Sequence, residues 1–314
     1  KYNSKPLIKI NNIPFINYII NFYKKFNFNK IYLLLGHKSY LYKKYHNQII
    51  NSIQVECIIE KKELGTGGAI SQLKNKVLNN FLLVNGDSFL NYNFIKFILN
   101  FEKSKSICKI GLIENKNYKS NKKLSNISIL NNKNLKFSSS SKLMNAGVYL
   151  FKKEILNYIK PNQYLSLEKA VIPNLLNDKK IIKEKLKGFF IDIGIKKNLN
   201  IAKQSLPLIF NTKSIILDRD GVINKDLGYV YKFQNFLLKR GVIKSIKYLN
   251  KKNIKIFIAT NQSGIARGYY TINDFHLLHK KFKNYLFSRK IYINDVYYCP
   301  HHPLYGQGIY LKKC

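Results

Sequence analysis

At 314 residues, with 46% apolar and 14% aromatic residues, the chain is long enough for two domains with cores of their own. No apolar run reaches the ~18 residues of a transmembrane helix, so a membrane is not an expected partner. The formal charge of +39 would suit nucleic acid, yet of 55 Lys and Arg only Arg219, Arg240, Arg267 and Arg289 are the arginines that bidentate recognition favours, and lysine is scattered everywhere; no nucleic-acid partner is expected.

Short apolar runs alternate with longer amphipathic ones, the pattern of an α/β architecture. The opening KYNSKPLIKI lacks a signal pattern, and its start on Lys rather than Met reads as a start inside a longer protein. In chain order the pattern predicts a helix over 13–26, strands over 31–35 and 55–60, a helix beginning at 69–72, and a strand over 81–84. A helix over 92–103 and a strand over 106–112 come next. The polar stretch 131–142, with four consecutive serines, reads as an exposed hairpin or loop. A strand over 147–151 and a helix over 167–176 lead to 203–213, where a proline precedes a new strand and a domain boundary is expected. That strand covers 215–217, followed by a helix over 241–251, a strand over 255–259, a helix over 272–288 and a strand over 295–298. Four widely spaced cysteines make no disulfide framework and point to a reducing, cytoplasmic setting. Cys57 and Cys108 fall in strand patterns and read as core residues; His37, His46, His276 and His279 have no metal spacing.

In the second half, LDRDGVIN places Asp218 and Asp220 where an apolar strand stops. Two close carboxylates can divide phosphoryl transfer, one attacking phosphorus while the other handles protons, although Asp-Gly is also a common turn. Further on, ATNQSGIARG ends a second apolar strand at Thr260 and runs through glycines to Arg267. A hydroxyl, loop amides and a guanidinium suit phosphate oxygens; a plain strand-to-helix turn is the alternative. YYCPHHP brings Cys299 and His301, and with Cys314 they are compatible with tetrahedral zinc, or else form a metal-free loop.

DRDGVIN and TNQSGIARGYYT together resemble the haloacid-dehalogenase-like phosphatases, in their histidinol-phosphatase and heptose-bisphosphatase branch, over about 213–314. The resemblance implies Asp218 as nucleophile, Asp220 as acid/base, Thr260 and Asn261 (with Arg267) on phosphate, and Mg²⁺ at Asp218 and the Asp220 carbonyl. It implies structural Zn²⁺ at Cys299, His301 and Cys314, with a further cysteine, a lysine and an acidic metal ligand expected beyond Cys314.

In the first half, ELGTGGAI packs Gly65, Gly67 and Gly68 around Thr66 between a strand and a helix; such glycines let backbone approach a ligand, or simply make a turn. Asp87 and Asp192 are acids that each end an apolar segment beside a glycine in a chain with only 16 acids, and as a pair could hold a divalent ion. These stretches, with MNAGVYLF, SLEKAVIP and the opening KPLIKINNIPFINYII, resemble the sugar-1-phosphate nucleotidyltransferases. The resemblance implies nucleotide contacts from Gly65, Thr66, Gly67 and Gly68, sugar contacts from Asn145, Gly147 and Glu168, Lys5 among the substrate phosphates, and Mg²⁺ between Asp87 and Asp192. The family's Gly-rich triphosphate loop is expected ahead of Lys1.

The expected architecture is therefore α/β with two domains: a Rossmann-like, GT-A-like nucleotidyltransferase mixed sheet over 1–205, then a Rossmann-like phosphatase domain over 213–314. The resemblances together imply a bifunctional enzyme of sugar-nucleotide synthesis. It would remove the 7-phosphate of D-glycero-D-manno-heptose 1,7-bisphosphate and transfer a nucleotidyl group, GMP from GTP, to the heptose 1-phosphate. A histidinol-phosphate-type phosphatase joined to another transferase, or a non-catalytic binder of nucleotide and sugar phosphate, are the alternatives. The expected partners are small molecules, with oligomeric state open.

Overall fold

The computed structural model describes residues 4–28, 30–50, 53–99, 101–114, 127–130, 134–137, 143–306 and 308–314. The chain is α/β and divides into two compact units, Lys1–Phe22 with Asn29–Leu206, and Tyr23–Phe28 with Pro207–Cys314. No helix among the described residues is long and apolar enough to cross a membrane.

The first unit is built on several sheets, and its two largest are mixed, as expected. In one, Ile181–Lys185, Cys108–Glu114, Leu143–Phe151 and Phe81–Val84 lie side by side. The first pair is parallel and the other two are antiparallel. Ile110, Leu112, Tyr149 and Phe151 from its central strands join Ile155, Ile172 and Leu175 in a buried cluster, and that burial is what holds the sheet to its helices. In the other, Lys30–Leu35 pairs parallel with Ile53–Ile59, whose far edge takes Gln48–Ile50 antiparallel. A cavity of about 760 Å³ lies between the edge strands Lys30–Leu35 and Phe81–Val84, with Ile16, Ile19 and Ile20 lining its apolar part. Ser88–Asn91 pairs separately with Phe189–Asp192. The polar stretch at 131–142 contributes Asn134–Phe137, paired antiparallel with Ile127–Leu130; 131–133 and 138–142, with the serines, lie outside the described residues.

Local chemistry moves some boundaries. The helix expected from 13 begins at Phe15, because Ile13–Pro14 pairs with Lys9–Ile10 across Asn11 and Asn12, both at positive φ (48° and 67°). Two such residues in a row suit a two-residue hairpin turn, and asparagine tolerates them. The helix tightens into a 3₁₀ turn at Lys24–Phe26 and stops at Asn27, φ 61°. The helix expected over 92–103 shortens to Ile95–Leu99, and that over 69–72 begins at Gly65–Gly68 and continues as a 3₁₀ turn. The stretch 203–213 is helical as far as Phe210, within Lys196–Phe210, despite Pro207. Proline leaves the carbonyl four residues back without its donor; here that carbonyl, Lys203 O, accepts from Asn11 Nδ2 at 3.1 Å.

The second unit carries a parallel sheet, Ser214–Leu217, Lys255–Asn261 and Asp295–Cys299, with Lys255–Asn261 in the middle. Helices Val242–Lys251 and Ile272–Ser288 supply Ile246, Leu278, Phe282 and Leu286 to a core with Ile256 and Ile258. Thr271 and Asp274 form a reciprocal capping box that starts the second helix. Parallel strands present their C-terminal ends on one rim, where α/β sheets bind ligands.

Candidate active sites

In the first unit, strand pairing brings distant acids together. Asp192 lies opposite Ser88 in an antiparallel ladder, and Ile193 N donates to Asp87 O at 2.9 Å. Lys5 Nζ donates to Asp87 Oδ2 at 3.3 Å. A Cβ on Gly194 would lie 2.8 Å from Asp192 Oδ1, 2.9 Å from Lys5 Nζ and 3.5 Å from Asp87 Oδ2. Two carboxylates and an ammonium thus surround one point that only glycine leaves open. Gly194 N also donates to Asp192 Oδ1 at 2.7 Å, which aims that carboxylate. Gly194 is the glycine that the sequence sets beside Asp192. A pair of carboxylates at the mouth of a cavity is a donor set that suits a hard divalent cation.

Asn145, Gly147 and Glu168 line the same cavity as Asp87 and Asp192. The register of Leu143–Phe151 against Cys108–Glu114 shifts between Asn145 and Tyr149, an irregularity that re-aims side chains. Gly147 sits in it at φ 65°, and a Cβ there would come within 2.6 Å of Asn85 Nδ2. Its N–H donates to Asn145 Oδ1 at 2.9 Å. Tyr149, buried and with its hydroxyl pushed well above the usual range by burial, bonds Asn145 Nδ2 and donates to Glu168 Oε1 at 3.4 Å. Thr66 Oγ1 donates to Glu168 Oε2 at 3.0 Å and accepts from Leu167 N at 3.0 Å. Thr66 therefore ties the glycine loop to the Glu168 segment.

The glycines beside it have a packing reason. Gly67 N and Gly68 N both donate to Leu165 O, at 2.7 and 3.0 Å. A Cβ on Gly65 would lie 2.8 Å from Leu165 O, and one on Gly68 would overlap Gln163 O. Close backbone packing against 163–167 demands them, and the amides of Gly67 and Gly68 are committed to it.

In the second unit, Leu217 pairs with Ile258, which sets Asp218 on the same rim as Thr260. Asp218 is exposed and accepts from Arg219 N at 2.6 Å through Oδ1. Asp220 is enclosed: Arg219 Nε and Nη2 donate to Oδ2 and Oδ1 at 3.0 Å each, Asn224 Nδ2 donates to Oδ1 at 2.9 Å, and Gln262 Nε2 to Oδ2 at 3.0 Å. Gln262 also donates to Thr260 Oγ1 at 2.9 Å and accepts from Tyr270 OH at 2.7 Å. Burial pushes that phenol up to about 12, with Arg219 opposing and Asp220 adding to the shift. Asn261 is exposed at its strand end, opposite Cys299. Arg267 turns elsewhere: its guanidinium lies 4.1 Å from the Tyr305 ring centre and Nη2 is 2.9 Å from His302 Nε2. Sequence reading named neither Arg219, Asn224, Gln262 nor Tyr270 as site residues. The only available signal was an arginine wedged between two acids.

Cys299 Sγ, His301 Nδ1 and Cys314 Sγ meet at the second unit's surface, 3.0 to 3.6 Å apart. Soft sulfur and imidazole nitrogen at such separations suit three corners of a tetrahedral zinc site. Cys57 and Cys108 are buried core residues, as read from their strand patterns.

The sequence pattern described as nucleotidyl transferase matches residues 1–207. Among curated proteins, the chain is similar to the D-glycero-alpha-D-manno-heptose-1,7-bisphosphate 7-phosphatase of Campylobacter jejuni, 47% identical over 90 residues, which are 29% of this chain and 52% of that protein. It is 41% identical over 102 residues to the D-glycero-beta-D-manno-heptose-1,7-bisphosphate 7-phosphatase of Haemophilus influenzae, covering 32% of this chain and 55% of that one. The chain thus spans about half the length of the curated relatives it matches. Among solved structures, HddC from Yersinia pseudotuberculosis, complexed with GMP-PN, superposes with a TM-score of 0.55 at 23% identity, covering 65% of this chain and 90% of that one. A putative glucose-1-phosphate thymidylyltransferase from Bacillus anthracis gives 0.55 at 16% identity, covering 64% and 85%. These two likenesses show a shared fold.

Proposed function

Because the chain belongs to the nucleotidyl transferase family, we propose that its first unit joins a sugar 1-phosphate to a nucleotide and its second removes a phosphate from the sugar beforehand. The observation that carries this reading is the coexistence in one chain of that family's match over 1–207 and 41–47% identity to heptose-bisphosphate 7-phosphatases. The substrate we assign is D-glycero-D-manno-heptose 1,7-bisphosphate, cut at position 7. Its product, the heptose 1-phosphate, then takes GMP from GTP and pyrophosphate leaves. The guanine choice is supported by HddC having been found with GMP-PN.

In the first unit, an oxygen of the sugar 1-phosphate attacks the α-phosphorus in line, and catalysis is mostly positioning and charge neutralisation. Asn145 and Glu168, held by Tyr149 and Thr66, orient the sugar hydroxyls. Lys5 offers a cation to the phosphates. Asp87 and Asp192 would hold Mg²⁺, which supplies charge neutralisation on the phosphate oxygens. In the second unit, Asp218 is the nucleophile and Asp220 the proton donor and acceptor, with Thr260 and Asn261 on the phosphate; Asp218 and the Asp220 carbonyl would hold Mg²⁺, which would supply charge neutralisation there. Arg267 is the weakest member of this set, since its partners are His302 and Tyr305. Cys299, His301 and Cys314 would hold a structural Zn²⁺.

The test is to give the full-length protein the heptose bisphosphate with each of GTP, ATP, CTP and UTP, following phosphate and pyrophosphate separately. Phosphate release independent of nucleotide, and pyrophosphate only with GTP, is expected. Pyrophosphate with another nucleotide would correct the base; release of neither product would overturn the reading.

A further inference from the structure

We propose that Arg219 is the positioning residue of the second aspartate, its buried guanidinium holding the Asp220 carboxyl where it can serve the leaving oxygen. The inference rests on the phosphatase reading above and gives a role to a residue that reading leaves idle. Arg219 is 1% exposed, and a guanidinium taken out of water is strongly unfavourable unless paired. Its only ion-pair partner among the described residues is Asp220. The guanidinium grips both carboxylate oxygens, Nε donating to Oδ2 at 3.0 Å and Nη2 lying 3.0 Å from Oδ1 and 2.8 Å from Oδ2, which fixes the plane of the carboxylate as well as its position. The guanidinium is itself anchored, since Nη2 also donates to Val230 O at 2.8 Å and its carbon lies 5.9 Å from the Phe236 ring centre.

Asp220 needs such a device because it stands beyond the strand end, in a turn where Gly221 takes φ 80°. Ile223 N and Asn224 N close that turn on Arg219 O, at 2.8 and 3.1 Å. The backbone of Arg219 thus shapes the loop while its side chain orients the acid that the loop carries. Asn224 and Gln262, both buried, complete the set of donors around the carboxylate. A group that exchanges protons with a reacting atom must be placed to within ~0.5 Å, and a carboxyl on a free turn would not be.

The chemistry predicts a signature. An oxygen of Asp218 attacks phosphorus and the ester P–O bond breaks; Asp220, protonated for this step with one of its amide donors (Asn224 or Gln262) released to make room for the proton, gives that proton to the leaving oxygen. Water then attacks the aspartyl phosphate, passing a proton to the Asp220 carboxylate, and the bond to Asp218 breaks to release phosphate. A sugar alkoxide cannot leave without that proton, whereas 2,4-dinitrophenolate can. Misplacing Asp220 should slow the first step for the sugar ester and spare it for the aryl ester.

The experiment is a first-turnover measurement on the full-length protein with Mg²⁺, comparing heptose bisphosphate with 2,4-dinitrophenyl phosphate. Arg219→Lys, which keeps the charge and loses the two-oxygen grip, is expected to slow the first turnover of the sugar ester by at least ~30-fold and the dinitrophenolate burst by less than ~3-fold. Arg219→Gln, uncharged and shorter but still a donor, should show the same selectivity at ~10-fold or more; it decides the matter if the lysine variant does not fold. An equal fall on both esters, or no fall on either, overturns the inference. A burst that survives Asp218→Asn would instead overturn the phosphatase reading.

Discussion

The two candidate sites bring a pair of acids together by opposite means. In the first unit, Asp87 in the turn ahead of Ser88–Asn91 and Asp192 at the end of Phe189–Asp192 meet around Lys5 and Gly194. In the second, Asp218 and Asp220 are two residues apart, and the second of them is enclosed by donors from Arg219, Asn224 and Gln262. The first arrangement leaves carboxylate oxygens facing a cavity, which suits a cation and charged substrates. The second directs one carboxylate outward and pins the other, which suits a nucleophile beside a proton carrier. A carboxylate pair thus acquires its chemistry from the donors around it more than from its spacing.

The largest effect that would break this comparison is at Asp218. Asp218→Asn in the full-length protein should reduce phosphate release by at least ~10³-fold, because the covalent step is gone, while pyrophosphate release from nucleotide persists. Parallel loss of both activities in folded protein would mean that the two sites are not independent. The reciprocal change, Asp87→Asn, should lower nucleotidyl transfer by ~10²-fold or more and leave phosphate release within ~2-fold. If transfer survives, the convergence on Gly194 has no part in holding a cation.

Metal and acid sharpen the comparison, because both should act on the second unit. Metal analysis should find about one zinc per chain, and Cys299→Ser should remove it and lower the melting transition of the second unit by ~5–10 °C. Zinc retained in a double variant, Cys299→Ser with His301→Ala, would remove the assignment. The smallest effect concerns His279, which is 4% exposed on Ile272–Ser288. Its Nδ1–H donates to Phe275 O at 2.8 Å, and burial, helped by Arg219 and neighbouring cations, pushes its pKa down to about 3. The unfolded chain's imidazole, near ~6.5, binds a proton that the folded one refuses, so stability present above that pH is lost as pH falls toward 3. At pH 5 the loss is about 2 kcal/mol. Urea titrations at pH 7 and 5 should show it in the second unit and not in His279→Leu.

The sequence by itself determined what is local. Hydrophobic period placed the strands Phe81–Val84 and Asp295–Cys299 and the helix Ile272–Ser288 to within a residue, because burial of one face needs only neighbours along the chain. DRDGVIN and ELGTGG carry turn and site chemistry in consecutive residues, so they were legible without a fold. What the tertiary structure decided is where groups far apart in sequence find partners. Pro207 is accommodated inside a helix because Asn11 satisfies the carbonyl it strands. Gly65, Gly67 and Gly68 are required by the backbone at 163–167, Thr66 reaches Glu168, and Asp192 meets Asp87 only through the ladder with Ser88–Asn91. Arg219 read as one more cation in a lysine-rich chain. Its burial, which makes pairing with Asp220 obligatory, comes from a core assembled by residues that lie far from it in sequence.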